Sequence, residues 1–410
     1  MRVERILVVL ILVVLAATAV IFGIKMSGGE EEPAPAVVSG TGEASLLVIG
    51  IQGLEGSMLE RLSAEGRLPH LTRLIDRGAV GGYSTLGRQT DARIVWTSLV
   101  TGMLPENQGV GGQKLSRRGE MVDAPLMPKA RTVGALWTYL GDAGEKSAVL
   151  GWPGTWPVEE IDGIMVGPHS TYVLERMHGG RHEDAVSPVS EYDRFDPLML
   201  DSARFVRRDL ERFVDMDSTM GLESLVGQNY VVLSGAVAAD RSVVDLAALI
   251  ASEGDVSSFF VCLAGLDVVS QRFWHYMETE AIDVVDVSED TRRMLEGQVE
   301  ALGTTVERYY EYADEIVGEL VDLAGDGATV VVLTDHGYAG ISLDAGGMPR
   351  VGTDMHSEEA LMVAAGTRVP AGATAVHGDL IDVAPTIMAA AGLDVPDGLD
   401  GRVLEGMIAR

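Results

Sequence analysis

The sequence predicts an α/β fold built on a largely parallel sheet that helices cover on both faces. From Ser45 onward, short apolar runs alternate with helix-like stretches, which is typical of strands buried between two helical layers. Between Val306 and Leu323, apolar residues recur at the spacing of one face of an amphipathic helix. The clearest strand candidates are Leu46–Ile49, Ala148–Leu150, Phe259–Leu263, Thr329–Leu333 and Leu361–Ala364.

Composition and charge exclude some classes of function. The chain has 410 residues, enough to bury a large core, and a formal net charge of −30. Such an acidic surface repels phosphate backbones, so no nucleic-acid partner is expected. The single cysteine, Cys262, rules out an internal disulfide framework and a zinc site built from several cysteines.

The first 25 residues predict a targeting segment rather than part of the fold. Arg2 and Arg5 precede an apolar stretch, Ile6–Ile24, whose length is close to the roughly 20 residues that span a bilayer. Because basic residues stay on the cytoplasmic side, we expect a single-pass cell-membrane anchor at 1–25, with the rest of the chain extracytoplasmic. A cleavable signal peptide is the alternative, since Ala17–Ala19 offers a small-residue cleavage site.

Composition also divides the rest of the chain. Residues 26–43 contain Ser-Gly-Gly, Pro-Ala-Pro and the run Glu30–Glu32 without apolar periodicity, and they predict a flexible stalk. Residues 44–410 form one predicted domain. Within it, the stretch from about 169 to 255 is rich in Asp, Glu and Arg and short of strand signals, which predicts an inserted, mainly helical cap.

Three of the predicted strands run into segments that suit a binding site. These segments are Gly50–Gly53, Ala264–Asp267 and Thr334–Gly337. Ligands of open α/β sheets bind outside the carboxyl ends of the strands, so these segments should face a shared crevice. Asp335 and His336 together offer an oxygen and a nitrogen to a zinc ion. The alternative is a capping aspartate followed by an incidental histidine.

Short segments spread along the predicted domain form an ordered set of motifs. They are Gly50–Gly53, Trp96–Glu106, Val149–Pro153, Gly265–Asp267, Arg272–Trp274, Tyr309–Tyr310 with Asp314, Thr334–Gly337, Asp382–Thr386 and Gly401–Leu404. No single segment is decisive, but the ordered set is specific and extends from about Leu46 to Leu404, nearly the whole predicted domain. These segments resemble, in order, the sequence blocks of the type I phosphodiesterase/nucleotide pyrophosphatase family, a branch of the alkaline phosphatase superfamily.

The resemblance implies an alkaline-phosphatase-like, doubly wound sheet and the hydrolysis of phosphoester, phosphodiester or pyrophosphate bonds with two zinc ions. Two such ions clamp the attacking and leaving oxygens of an in-line displacement. A threonine or serine at a helix N-terminus is the implied nucleophile. Carried over by position, one ion takes Asp335, His336 and position 52, and the other takes Asp267, position 271 and His356.

The sequence departs from the family at three of these positions. Gln52 stands where the family has an aspartate, and Gln271 stands where it has a histidine; a neutral amide is a poor zinc ligand. The nucleophile position, nine residues before Thr101, is Ala92, which has no hydroxyl. Thr90 is the nearest substitute hydroxyl, although Thr90 or Asp91 is equally the N-cap of the following helix.

Two functions remain open from the sequence. The first is a degenerate family member, a pseudoenzyme that keeps the pocket to bind a phosphorylated small molecule or an envelope partner, with its zinc pair incomplete or lost. The second is a metal-dependent hydrolase of phosphoester or phosphodiester bonds in which a reduced metal set activates water. The metal residues of the second are Asp267, Asp335, His336 and His356.

Overall fold

The computed structural model describes residues 45–87, 90–110, 114–117, 120–123, 128–168, 183–200, 205, 207–217, 227–277, 289–338 and 356–409. The predicted anchor at 1–25 and stalk at 26–43 lie outside these residues. The strands are β1 (Leu46–Ile51), β2 (Ala79–Ser84), β3 (Lys114–Arg117), β4 (Glu120–Asp123), β5 (Ser147–Leu150), β6 (Gly163–Val166), β7 (Val186–Ser187), β8 (Ser258–Leu263), β9 (Thr329–Leu333), β10 (Glu359–Ala365), β11 (Ala373–Thr374) and β12 (Gly378–Asp379).

The α-helices alternate with these strands along much of the chain. They are α1 (Gly56–Ala64), α2 (Pro69–Arg77), α3 (Ala92–Thr101), α4 (Pro105–Gln108), α5 (Leu136–Asp142), α6 (Tyr192–Phe195), α7 (Arg207–Leu210), α8 (Gln228–Glu253), α9 (Gly265–Phe273), α10 (Glu289–Leu302), α11 (Thr305–Ala324) and α12 (Val383–Ala391).

A single large sheet organises the described residues. Its strand order is β11-β2-β10-β9-β1-β8-β5-β6-β7, with β12 also paired to β2, while β3 and β4 form a separate hairpin. The central strands β9, β1, β8, β5 and β6 are parallel, and β10 is antiparallel to both of its neighbours. Since β9, β1 and β8 lie side by side and parallel, the segments that follow them emerge at the same edge of the sheet.

Helices cover both faces of the sheet, as the sequence predicts. Along β1, Leu47 and Ile49 point into one core with residues of α1, α2, α8, α9 and α11. Leu46 and Val48 point into a second core with residues of α3, α5 and α12. Side chains of a strand alternate between faces, so an all-apolar β1 is the consequence of burial on both sides.

The five strands predicted from the sequence are all present, as β1, β5, β8, β9 and β10. The amphipathic pattern from Val306 to Leu323 corresponds to α11, whose apolar face is buried. The predicted α/β class is therefore confirmed.

Helix α8 lies inside the segment that the sequence predicts as a cap. Its buried residues, among them Leu233, Val244 and Ile250, belong to the core beneath the sheet. Among the described residues, α8 therefore forms part of a layer of the α/β core.

The structure also bears on the single-pass membrane location that the sequence predicts. None of the helices in the described part of the chain is both long and apolar enough to cross a bilayer. This finding contradicts the predicted location.

Candidate functional site

A cleft of about 720 Å³ lies at the sheet edge where β1, β8 and β9 end. Its walls come from the segments after these strands, from the start of α3 and from one face of α8. Its lining includes all of the site residues singled out from the sequence, namely Gln52, Thr90, Ala92, Asp267, Gln271, Asp335, His336 and His356.

Asp267, His336 and His356 bring their ligand atoms together in this cleft. One donor atom from each of the three lies within 4.8 Å of the others. The Nε2 atoms of His336 and His356 are each 3.7 Å from Asp267 Oδ1, and the two imidazole rings stack at 3.6 Å between centroids. His356 Nε2 is buried and has no hydrogen-bond partner within the described part of the chain.

This grouping differs from the two ion sites implied by the family resemblance. His336 lies with Asp267 and His356, which the family resemblance assigns to the other ion. Asp335 Oδ2 is also 3.7 Å from His336 Nε2, but both oxygens of Asp335 are held elsewhere. Trp96 Nε1 donates to Oδ2 at 2.9 Å and Gly53 N donates to Oδ1 at 3.3 Å. These two donors draw Asp335 towards α3 and the end of β1.

The two glutamines at ligand positions make contacts of different kinds. Gln271, one helical turn after Asp267 on α9, donates from Nε2 to Asp267 Oδ2 at 2.8 Å. Gln52 donates from Nε2 to Cys262 Sγ at 3.5 Å, a weak contact with a buried thiol. Gln271 therefore contacts the cluster of Asp267, His336 and His356 directly, whereas the amide of Gln52 contacts Cys262 instead.

The start of α3 carries the position of the family nucleophile. Ala92 is the first residue of the helix, and Asp91 is its N-cap, accepting from Arg93 N at 2.9 Å. The Asp91 carboxylate also pairs with the Arg93 guanidinium at 2.8 Å. Thr90 Oγ1 donates to Leu86 O at 2.8 Å, so its hydroxyl is engaged with the preceding loop. Of the two N-cap candidates, the structure selects Asp91.

Tyr338 is a contact of the site that sequence reasoning missed. Its hydroxyl donates to Asp267 Oδ1 at 2.5 Å, and its ring stacks on Trp274 at 4.7 Å between centroids. Its backbone forms an isolated antiparallel bridge with His356. Tyr338 directly follows the Thr334–Gly337 segment, so its position next to a candidate metal pair is the signal that could have identified it.

Asp240 of α8 is the second contact that the sequence did not reveal. It is buried, lines the cleft, and accepts from Gly265 N at 3.0 Å and from the Tyr309 hydroxyl at 2.9 Å. A Cβ on Gly265 would lie 1.9 Å from the Tyr309 oxygen, so only glycine fits there. Burial raises the pKa of Asp240 to about 7. Asp240 thereby fixes the start of α9, the helix that carries Asp267.

Electrostatics keep His356 neutral and leave it free to act as a ligand. Burial, with a smaller contribution from nearby His336, lowers the pKa of His356 to about 4. Burial disfavours the charged form of His336 as well, but Asp335 and Asp267 outweigh it and raise the pKa of His336. Burial, reinforced by Asp267, raises the pKa of Asp335 against the opposing charge of His336.

The donor set of the cluster fits one metal ion. Two imidazole nitrogens and a carboxylate oxygen are ligand types that zinc takes in proteins, and three protein ligands are common in catalytic zinc sites. The buried, unpartnered Nε2 of His356 is the kind of atom for which a bound ion would account. Within the described residues, this cluster is where three such donors converge.

The chain is similar in sequence to one known family and in fold to several solved structures. The family described as type I phosphodiesterase/nucleotide pyrophosphatase matches residues 46–385. No curated protein matches the chain. Human ectonucleotide pyrophosphatase/phosphodiesterase 5 is similar at 10% identity with a TM-score of 0.45, covering 88% of this chain and 100% of that chain.

Two further solved structures are similar at comparable levels. Phosphonoacetate hydrolase from Sinorhizobium meliloti, in complex with phosphonoformate, shows 18% identity and a TM-score of 0.42, covering 76% of this chain. The chain spans 60% of the length of that hydrolase. A sulfatase-like protein from Bacteroides thetaiotaomicron shows 11% identity and a TM-score of 0.47, covering 88% of this chain and 73% of that chain.

The family match, over residues 46–385, extends over most of the sequence. The predicted alkaline-phosphatase-like fold is thus confirmed. The chain belongs to the type I phosphodiesterase/nucleotide pyrophosphatase family.

Proposed function

We propose that this family member binds a single zinc-type cation in its cleft and is catalytically degenerate, with the cleft retained for a phosphorylated small molecule. The observation that carries the proposal is the convergence of Asp267, His336 and His356 in the same cleft as Ala92. The ligands of a cation are thus present, while the position of the family nucleophile has no attacking atom.

Charge balance in the cleft supports a role for the cation in ligand binding. The described lining residues include four aspartates, Asp91, Asp240, Asp267 and Asp335, beside one arginine, Arg93. That arginine is already paired with Asp91. A phosphate group would therefore meet more carboxyl groups than cationic side chains in the described lining, and a bound cation would supply the positive charge that attracts phosphate oxygens.

The lack of a nucleophile supports the degenerate state. Ala92 offers only a methyl group, and the Thr90 hydroxyl donates to Leu86 O. Removing a covalent nucleophile typically lowers kcat by about 10⁴-fold to 10⁶-fold. Neither side chain replaces a hydroxyl activated at the helix N-terminus.

A metal-dependent hydrolase is the second candidate, favoured by the number of donors in the cluster. Three protein ligands are typical of catalytic zinc sites, in which the metal polarises a phosphoryl oxygen and activates water. In this alternative Asp267, His336 and His356 hold the ion and the neutral His356 provides an imidazole lone pair.

Zinc stoichiometry and turnover of a nitrophenyl phosphodiester distinguish the two candidates. The purified, metal-free chain is dialysed against zinc, its zinc content is measured, and the phosphodiester is supplied in excess. We expect one zinc per chain and no turnover above that of zinc alone. One zinc with turnover that is lost in His336→Ala would establish the hydrolase instead.

A binuclear site would contradict both candidates. Two zinc ions per chain, with turnover abolished by Asp335→Ala, would overturn the proposed degeneracy. Absence of bound zinc in the unsubstituted chain would overturn the cation site itself.

A further inference from the structure

Each carboxylate oxygen of Asp267 accepts a hydrogen bond from another side chain. Gln271 Nε2 donates to Oδ2 at 2.8 Å, and the Tyr338 hydroxyl donates to Oδ1 at 2.5 Å. The side chain of Asp267 is therefore fixed at both ends of its carboxylate.

The two donors come from elements that are themselves held in place. Gln271 lies one turn after Asp267 on the same helix, α9. The ring of Tyr338 stacks on Trp274, and Tyr338 N donates to Glu55 Oε2 at 2.7 Å. Neither donor depends on a long, mobile surface side chain.

The orientation that results presents Oδ1 to the histidines. It is this oxygen that lies 3.7 Å from the Nε2 atoms of both His336 and His356. Each carboxylate oxygen has two lone-pair sites, so the hydrogen bond from Tyr338 leaves Oδ1 one site for a cation. The hydrogen bond from Gln271 prevents the carboxylate from rotating away from that direction.

We propose that Gln271 and Tyr338 are positioning residues that hold Asp267 Oδ1 towards a cation shared with His336 and His356. Gln271, which occupies a ligand position of the family, would thus support a ligand rather than act as one. This inference rests on the proposed function, since it concerns the same cation site. Donors that orient a metal ligand typically contribute about 10-fold to 100-fold to metal affinity.

Zinc titration of the metal-free chain by calorimetry tests the inference. Gln271→Met removes the amide at similar side-chain size, and Tyr338→Phe removes only the hydroxyl and keeps the aromatic ring. We expect each substitution to raise the zinc Kd by about 10-fold to 100-fold, which means weaker binding, while the stoichiometry stays at one zinc per chain. The double variant should bind more weakly than either single variant.

Tyr312→Phe is the matched control, because Tyr312 is a buried tyrosine on α11 outside the cleft lining. It should leave the zinc Kd unchanged. Thermal unfolding of each variant without zinc separates loss of the site from loss of the fold, and a variant that does not fold leaves the other single variant to decide.

The outcomes separate this inference from the function on which it rests. If the unsubstituted chain binds zinc and both single variants bind it within twofold of the same Kd, the positioning role is wrong and the cation site stands. If the unsubstituted chain binds no zinc, the cation site and the inference fail together. A fall in Kd on Tyr338→Phe would show that the hydroxyl competes with the ion, and would also overturn the inference.

Discussion

The two sides of the cleft differ in the polar groups that they direct into it. On one side, which we call the cation side, Asp267, His336 and His356 direct ligand atoms towards a common point. On the other, the helix side at the start of α3, the polar groups of Thr90 and Asp91 bond to nearby backbone and to Arg93. The three candidate cation ligands and the position of the family nucleophile lie on separate elements, so a substitution at one need not disturb the other.

Restoring the helix side together with the altered ligands should have the largest effect. The triple variant Gln52→Asp, Ala92→Thr and Gln271→His returns the charge, the imidazole and the hydroxyl that the family uses. We expect it to bind a second zinc and to turn over a nitrophenyl phosphodiester about 10⁴-fold faster than the unsubstituted chain. Initial rates at saturating zinc measure the change.

The double variant Gln52→Asp and Gln271→His is the control for the hydroxyl. It should gain zinc without gaining comparable turnover, because position 92 remains alanine. Equal turnover in the double and triple variants would show that residue 92 does not attack phosphorus.

The cation side also depends on a buried acid whose ionisation opposes folding. The folded-state pKa of Asp240, about 7, lies above its ordinary value of 3.8. Its contribution to stability is fully present below pH 3.8 and is lost as the pH rises through 7. This loss is on the order of 4 kcal/mol at most.

Asp240→Asn should remove that part of the pH dependence. The amide keeps an acceptor for Gly265 N and carries no charge, so its unfolding free energy should fall less between pH 5 and about pH 8 than that of the unsubstituted chain. Denaturant unfolding at the two pH values measures the difference. Parallel pH profiles for the two proteins would be incompatible with an acid that titrates near 7 in the folded state.

Breaking the cation side should cost metal affinity without comparable loss of fold. His336→Ala removes one of three candidate ligands. We expect the zinc Kd to rise by at least about 100-fold, which means weaker binding. His377→Ala is the control, since His377 is half-exposed and lies outside the cleft lining. Equal zinc affinity in both variants would place the cation elsewhere.

Removing the cap on the helix side should have the smallest effect. Asp91→Ala deletes the N-cap of α3 and should lower the unfolding free energy by about 1 kcal/mol. Its exposed pair with Arg93 adds little to this loss. Chemical denaturation measures it, with the exposed Asp76→Ala of α2 as a control that should change stability by less.

The sequence was sufficient to predict five strands of the large sheet and α11, and to single out eight residues that line the cleft. Uninterrupted apolar runs mark strands buried on both faces, and the order of blocks identifies Asp267, Asp335, His336 and His356. These signals are local in the chain, or depend only on the order of local segments.

The grouping of the ligands could not be obtained in the same way. It depends on side-chain contacts across long separations, such as that of Trp96 with Asp335, 239 residues apart, and that of Tyr338 with Asp267, 71 residues apart. No periodicity or motif encodes which oxygen of an aspartate a distant tryptophan will hold. The sequence did not reveal the burial of α8. The stretch from about 169 to 255 is rich in charged residues when it is taken as a whole, and this average composition hides the apolar face of the helix.

The backbone bridge between Tyr338 and His356 has a consequence for the thermodynamics of ion capture. Tyr338 donates to one candidate ligand, Asp267, and its backbone is bridged to another, His356. The backbone therefore already holds the donor atoms close together. An ion that enters such a framework has little chain entropy to remove, and its affinity then reflects mainly the exchange of its hydration shell for protein ligands. The ordering of the protein chain should therefore contribute little unfavourable entropy to its calorimetric signature.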